Sequence, residues 1–420
     1  MIAPAAAPVA IWTICGAATA GVIGRPFRLP EAVWAVAGAA LLLVLGLIPI
    51  DAAWAAVRKG GDVYFFLVGM MLLSEAARRE GLFDWVAVHA VNAAKGSPGR
   101  LFALVFGVGT VVTIFLSNDA TAVVLTPAVY AAASKARAKP LPLLFACALI
   151  ANAASFVLPI SNPANLVLYG GKMPPLGDWL TSFALPSLLS IAVTFGMLRW
   201  VERGSLDGRC ESDVAASPLS RGGAIALLGI VATAALLVTV SAIDRALGLP
   251  TFLAGVATAV VVCIGSRQSP LPIVRSVSWA VLPLVAGLFV LIEALASTGV
   301  IARLARALHD AAQASPHATA ATAGTVLAFG SNLMNNLPAG LIASTTIQQA
   351  QPPQLVTDAL LIGVDLGPNL SITGSLATIL WLTAIRREGE DVGFWRFLRV
   401  GAVVMPPALL AALGARILIG

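Results

Sequence analysis

The 420-residue sequence predicts an all-α polytopic membrane protein. It reads as two inverted-topology repeats, with about ten transmembrane helices, two re-entrant hairpins and two broken helices. Three observations lead there. First, 59% of the residues are hydrophobic and 11% are charged. Soluble domains carry about 25% charged residues, so a soluble core of this size would be left uncovered. Second, apolar runs such as 30–50, 222–241 and 400–418 have the length that crosses a bilayer, and no strand alternation of the outer-membrane-barrel kind is seen. Third, the chain repeats itself. Gly69, Glu75 and Gly81 in "LVGMMLLSEAARREGLF" recur 218 residues later as Gly287, Glu293 and Gly299 in "LVAGLFVLIEALASTGVI".

Each half parses in the same order. The first, residues 1–200, has helices near 3–22, 30–50 and 61–79, then an amphipathic surface helix near 82–96. A pair of apolar segments follows (99–116 and 119–135), then a broken helix (140–172) and a last helix (178–200). The second half, 222–420, runs 222–241, 250–265, 277–297, a surface helix near 300–313, the pair 316–331 and 335–348, a broken helix at 353–386, and 394–418. Residues 201–221 form a polar linker. Each pair turns at polar residues, Asn118–Asp119 and Asn335–Asn336, with no soluble loop between its members. Such a turn fits a hairpin tip buried in protein, because irregular backbone at membrane depth is tolerated only there or beside a water-filled cavity. Each half then crosses five times, and an odd number inverts the second half.

The basic residues agree with this parse. Nineteen of the 26 Lys and Arg fall on one side, and seven (Arg58, Lys59, Lys172, Arg245, Arg303, Arg306, Arg416) on the other. The positive-inside rule then puts the linker in the cytoplasm and both termini in the periplasm of a bacterial inner membrane. The net charge of +6 comes with no basic face interleaved with aromatics, so nucleic acid is not the expected partner. Four scattered cysteines without a C-x-x-C, and three scattered histidines, give no expectation of a disulfide, a metal site or a cofactor. The N-terminus lacks a basic leader region and reads as the first membrane helix.

A charge at the bilayer centre costs roughly 2.5–3.5 kcal/mol, so Asp119 and Asp365 need a reason. If the paired segments were full crossings, Asp119 would simply lie in a surface turn. If they are hairpins, two tips and two helix breaks meet. Half-helix ends there offer free N–H and C=O groups to a small polar solute or ion. The candidate binding residues are Asn118, Asp119, Asn162, Asn165, Asn332, Asn335, Asn336, Asn369, Ser371 and Thr373, with Asp119 and Asp365 as proton-coupling groups. Pro159, Pro163, Pro338 and Pro368 help keep the breaks open. Glu75 is explained by the local partners Arg78 and Arg79, and Glu293 by a helix end near water.

"SNDATAVVLTP", "SNLMNNLPAGLI" and above all "IGVDLGPNLSITGSLATILWL" (362–382) resemble the ArsB-type arsenite/antimonite efflux permeases of the ion transporter superfamily. "GLFDWVAVHAVNAAKGSPGRLF" (81–102) resembles their surface-helix region, and the motifs follow the family's order along nearly the whole chain. The resemblance implies secondary export of trivalent arsenic and antimony by proton exchange, sometimes with a soluble arsenite-stimulated ATPase as partner. Many members of that family carry an acid where this sequence has Asn152, so one proton group of the family pattern is missing. Arsenite near neutral pH is largely an uncharged hydroxide, which amides, hydroxyls and a carboxylate can hydrogen-bond. Thiolates would also bind soft arsenic, but the cysteines do not cluster, and a permeant must bind weakly enough to leave.

Other readings stay open. A sodium/proton antiporter or a sodium-coupled dicarboxylate carrier would share the fold, although no arginine lies in the tips or breaks to clamp a dicarboxylate. An intramembrane aspartyl protease would need Asp119 and Asp365 at hydrogen-bonding distance, and it leaves the repeat unexplained. A passive channel would differ from an antiporter in the proton dependence of its flux.

Overall fold

The computed structural model describes residues 6–420 other than 171–172, 212 and 216. Residues 3–5 of the first expected helix, and Lys172 of the basic count, lie outside the described residues.

The described chain is helical throughout. The first half holds α1 (Ala7–Gly24), α2 (Glu31–Val44), α3 (Ile50–Lys59), α4 (Gly61–Arg79), α5 (Leu82–Ala93) and α6 (Pro98–Leu116). After it come α7 (Asn118–Ala120), a π-turn (Thr121–Leu125), α8 (Thr126–Lys135), α9 (Pro140–Ala153), α10 (Pro163–Tyr169) and α11 (Leu176–Val201). The second half holds α12 (Arg221–Ala242), α13 (Gly248–Ser266), α14 (Leu271–Ser276), α15 (Val281–Ser297) and α16 (Val300–Ala314). It ends with α17 (Pro316–Met334), α18 (Asn336–Ala350), α19 (Gln354–Leu366), α20 (Leu376–Arg387) and α21 (Phe394–Ile419). Among these, α1, α6, α11, α12, α13 and α21 are each long and apolar enough to cross a bilayer alone, and α2 and α9 are shorter apolar helices.

The 218-residue offset extends far beyond the three residues that announced it. It carries Pro98–Leu116 onto Pro316–Met334 and Leu176–Val201 onto Phe394–Ile419, end for end. Packing crosses between the halves: α4 lies against α13, and α15 against α2. Gly69 and Gly287 explain themselves at these crossings. A Cβ on Gly287 would stand 2.8 Å from the Ala35 carbonyl carbon, and one on Gly69 would run into the Thr251 backbone. Both glycines let two helix backbones touch.

Several details differ from the sequence-based expectation. The helix expected over 30–50 stops at Val44, because Gly46 takes a positive φ of 65° and Pro49 starts a new helix. That helix, α3, and its counterpart α14 are short segments ahead of the long helices of each half. α3 bends by 46° into α4, and α15 bends by 77° into the surface helix α16. Arg416, counted among the exterior charges, is buried. Its guanidinium meets the Asp358 carboxylate at 2.8 Å, and Tyr169 (2.8 Å) and Gln354 (2.7 Å) donate to the same carboxylate.

Candidate functional site

Two hairpins and two helix breaks meet in the middle of the molecule. Each hairpin turns at a single strained residue, Ser117 (φ 75°, ψ 163°) and Asn335 (φ 76°, ψ 153°), which are 218 residues apart. This region of backbone space is nearly confined to glycine and costs about 1–3 kcal/mol for other residues. The same strain at equivalent positions in both repeats marks the tips as positions where geometry matters more than stability. Asn335 also accepts from the Leu337 N–H at 3.3 Å, whereas Ser117 makes no such cap.

The breaks run from Ala154 to Asn162 and from Gly367 to Ser375. Asn162 caps the Ala164 N–H at 3.0 Å and Ser375 caps the Thr378 N–H at 3.0 Å, so each half-helix restarts on a side-chain acceptor. The starts of α7, α10, α18 and α20 converge on a central space of about 10 Å3, lined by Asn118, Asp119, Asn162, Asn336, Leu337 and Leu376 among others. That is room for about one water, so the tips are closed on one another.

The expected site residues fall into three sets. Asn118, Asp119, Asn162 and Asn336 line the central space. Asp365 lies one hydrogen bond behind it, fully buried, with its Oδ1 accepting from Asn162 Nδ2 at 2.8 Å. The other residues brace the walls. Asn165 donates to the Ser155, Leu158 and Pro159 carbonyls of its own break. Asn332 holds Ser371 (2.8 Å) and Thr373 (2.9 Å) and donates to the Gly367 carbonyl, fastening the α17 arm to the second break. Asn335 donates to the Thr373 carbonyl, and Asn369 to the Leu149 carbonyl at 2.9 Å.

Asn152 was seen in the sequence only as a missing acid. It donates to Asn369 Oδ1 (3.0 Å) and lies 3.3 Å from Thr378 Oγ1, joining the first repeat to the second break. The break offset of 213 residues makes Asn152 the counterpart of Asp365, and Asn162 the counterpart of Ser375. Each break therefore reaches into the other.

The central set is short of donors. Asn118 Oδ1, Asn336 Oδ1 and Asp365 Oδ2 are buried without a hydrogen-bond partner among the described residues. Buried polar atoms are nearly always paired, so two orphaned acceptors on the lining of one space, with a third behind it, point to a donor-bearing guest. Among the described residues no Lys or Arg lines the space. The four cysteines are free and stand apart, on α1, α9, the linker and α13.

Two larger cavities flank the centre. One, of about 300 Å3, is lined by Lys59, Asp62, Phe289, Glu293, Leu341 and Gln348 among others. The other, of about 70 Å3, is lined by Met71, Glu75, Asp119, Val123, Val277 and Val281 among others. The pairs Met71/Phe289, Glu75/Glu293 and Val123/Leu341 are each 218 residues apart. These are two copies of one space, one on each side of the centre and open to different degrees. Glu293 pairs there with Lys59 at 2.8 Å, and Glu75 with Arg78 on its own helix.

The family model described as "CitMHS: Citrate transporter" matches residues 11–368. An arsenical pump membrane protein of Yersinia enterocolitica is 26% identical over 391 residues, covering 89% of this chain and 90% of that protein. The arsenical pump membrane protein of Escherichia coli K12 is 26% identical over 410 residues, covering 94% and 95%. An uncharacterized transporter of Mycobacterium tuberculosis is 27% identical, covering 83% and 84%. The crystal structure of the YdaH transporter of Alcanivorax borkumensis shares the fold, with a TM-score of 0.58 at 14% identity over 89% of each chain.

Proposed function

Because the chain belongs to the citrate transporter family of the ion transporter superfamily and is a secondary transporter rather than an enzyme, we propose that it exports arsenite and antimonite in exchange for protons. The observation that carries this reading is the set of orphaned acceptors around a space free of cationic side chains. Once the tips part, a neutral trihydroxide brings O–H donors to Asn118, Asn336 and Asp119, and its oxygens can accept from the helix starts. Relatives named as arsenical pumps, 26% identical along most of the chain, support the substrate class.

In this reading Asp119 and Asp365 carry the proton. Asp119 lines both the central space and the smaller flanking cavity, so it can exchange protons with water on that side. Asp365 acts through Asn162, which faces the guest. Desolvation disfavours a charged carboxylate, so substrate departure and protonation favour each other. One proton entering for each neutral solute leaving moves one charge inward, worth about 2.3 kcal/mol per 100 mV. Residues 1–200 and 222–420 form the two repeats, with the 201–221 linker in the cytoplasm and both termini in the periplasm. The larger cavity is then the outward one. A soluble arsenite-stimulated ATPase would dock on the linker side.

A second reading has its own support. Four helix starts converge on the centre, helix N-termini favour anions, and the family's description names citrate. Against it, two carboxylates and no cation line or back the site. Everted vesicles separate the two readings. Arsenite and antimonite uptake should rise when the vesicle interior is acidified, while citrate and sodium fluxes stay at background. Citrate uptake without arsenite uptake would reverse the assignment.

A further inference from the structure

Gly69 and Gly287 recur because helix backbones touch there, but the glutamates between the repeated glycines keep different company. Glu75 accepts from Arg78 on its own helix, from Nε at 2.7 Å and Nη2 at 2.5 Å, with Arg79 Nε at 3.6 Å. Glu293 pairs with Lys59, which comes from α3. The 218-residue offset carries Arg78, Arg79 and Lys59 onto Ala296, Ser297 and Val277. The acid recurs and its cation does not. A local ion pair explains how each charge is held, but not why an acid lines the same cavity in both repeats.

The two copies differ in what shares the cavity with the glutamate. The smaller one, of about 70 Å3, is lined by Glu75 and Asp119 together, with the hydroxyl-bearing Ser74, Ser117, Ser276 and Ser278. Neither Asp119 nor Asp365 lines the larger one. The smaller cavity has room for a few waters, and Asp119 meets the closed central space from it. The Glu75 side chain is 10% exposed and the Arg78 side chain that holds it is 45% exposed, so the pair spans the step from cavity to solvent. Other charges are few. Asp84 of α5 lies within electrostatic reach of Arg78, and Cys263 of α13 within reach of Arg79 and Glu80. Arg275 on α14 is exposed. Among the described residues α10, α12, α20 and the π-turn bring no charged group to the cavity.

We propose that Glu75 is the proton station between Asp119 and the cytoplasm, a role that rests on the proton-exchange reading above. When substrate arrives from that side, the Asp119 O–H bond breaks toward a water in the cavity. That water gives one of its own protons to a Glu75 oxygen, and Glu75 passes it to cytoplasmic water at the Arg78 edge. One proton moves, the bridging water is left as it was, and no electron is transferred.

Everted vesicles expose the cytoplasmic face, so the exterior pH can be varied at a fixed acid interior. Wild-type arsenite uptake should rise with exterior pH. E75Q and E75Q/R78Q should flatten that rise and slow proton-driven uptake on the order of tenfold. That is less than the ~10²–10⁴ of a direct general acid or base, because water can still cross the cavity. R78Q alone keeps the acid and should keep the rise. Arsenite–arsenite exchange at equal pH moves no proton and should survive in all three. The double variant keeps the local charge balance, so it inserts even where E75Q leaves Arg78 stranded. A wild-type pH profile in E75Q or in the double variant would overturn the role. So would an R78Q variant that loses the rise along with E75Q, since the ion pair would then be structural. Wild-type vesicles without any proton-driven uptake would instead fail the transport reading, and this role with it.

Discussion

The two repeats share a backbone and differ in where they place their acids. Ser117 and Asn335 turn with nearly the same φ, and α6 and α17 superimpose residue for residue in the numbering. Yet the hairpin tip of the first repeat carries Asp119 where the second has Leu337, and the break of the second carries Asp365 where the first has Asn152. Each repeat supplies one acid, at a non-equivalent place. The difference separates two jobs. The repeated backbone builds matching cavities, and in the proposed reading the unrepeated acids give the site its chemistry. Elsewhere the halves diverge in the same way: Arg416 and Asp358 form a buried ion pair where the first repeat has Leu198, at the 218-residue offset, and Phe145, at the 213-residue offset of the broken helices.

That last contrast gives the largest expected effect. Arg416→Leu copies the first repeat at one partner only and strands the Asp358 charge. Breaking such a pair costs about 3–5 kcal/mol, read as a large fall in the melting temperature of the detergent-purified protein. Arg416→Leu with Asp358→Asn should recover most of that loss; equal loss in both variants would mean that the pair is not the cause. Next come the crossings. Gly69→Ala and Gly287→Ala each overpack a backbone contact, at about 1–3 kcal/mol, with Gly69→Ala the more damaging because its Cβ would approach closer. The reverse order would contradict the crossing geometry. At the tips, Ser117→Gly relieves strain and loses no cap, so it should stabilise by about 1 kcal/mol. Asn335→Gly gives up the bond to Leu337 and should gain less. The smallest effect is expected from replacing Cys15, Cys147, Cys210 and Cys263 by serine or alanine, which should keep substantial arsenite resistance in cells. Loss of transport restored by one returned cysteine would sink oxygen-and-amide recognition.

The sequence made the repeat, the tips and the breaks legible because each interrupts an apolar run with residues that have no other business there. Gly69 and Gly287 were visible as a spacing, and their reason became clear only in the helix crossings. The short helices α3 and α14 fall in the gaps between the apolar runs that the sequence marks: a brief segment beside a long apolar one leaves no period of its own. The π-turn at Thr121–Leu125 has no sequence signature. Asp358 and Arg416 sit 58 residues apart near helix ends, where charges usually set topology, so nothing in the local pattern pairs them. At the site, composition identified the polar residues but could not sort them. Asn332, Ser371 and Thr373 read like ligands and brace the wall, whereas Asn152 read like an absence and bridges the repeats.

The division of acids between the repeats is tested most directly by the pH dependence of arsenite uptake into everted vesicles carrying Asp119→Asn, Asp365→Asn, or Asp365→Asn with Asn152→Asp. Asn keeps the shape of Asp and cannot titrate. Each single variant should insert normally and lose the acceleration by interior acid, leaving at most slow exchange. The double variant moves the second acid to its repeat-equivalent position and should regain part of the pH response. If both single variants keep wild-type pH-driven uptake, the carboxylates are structural and the proposed coupling is wrong.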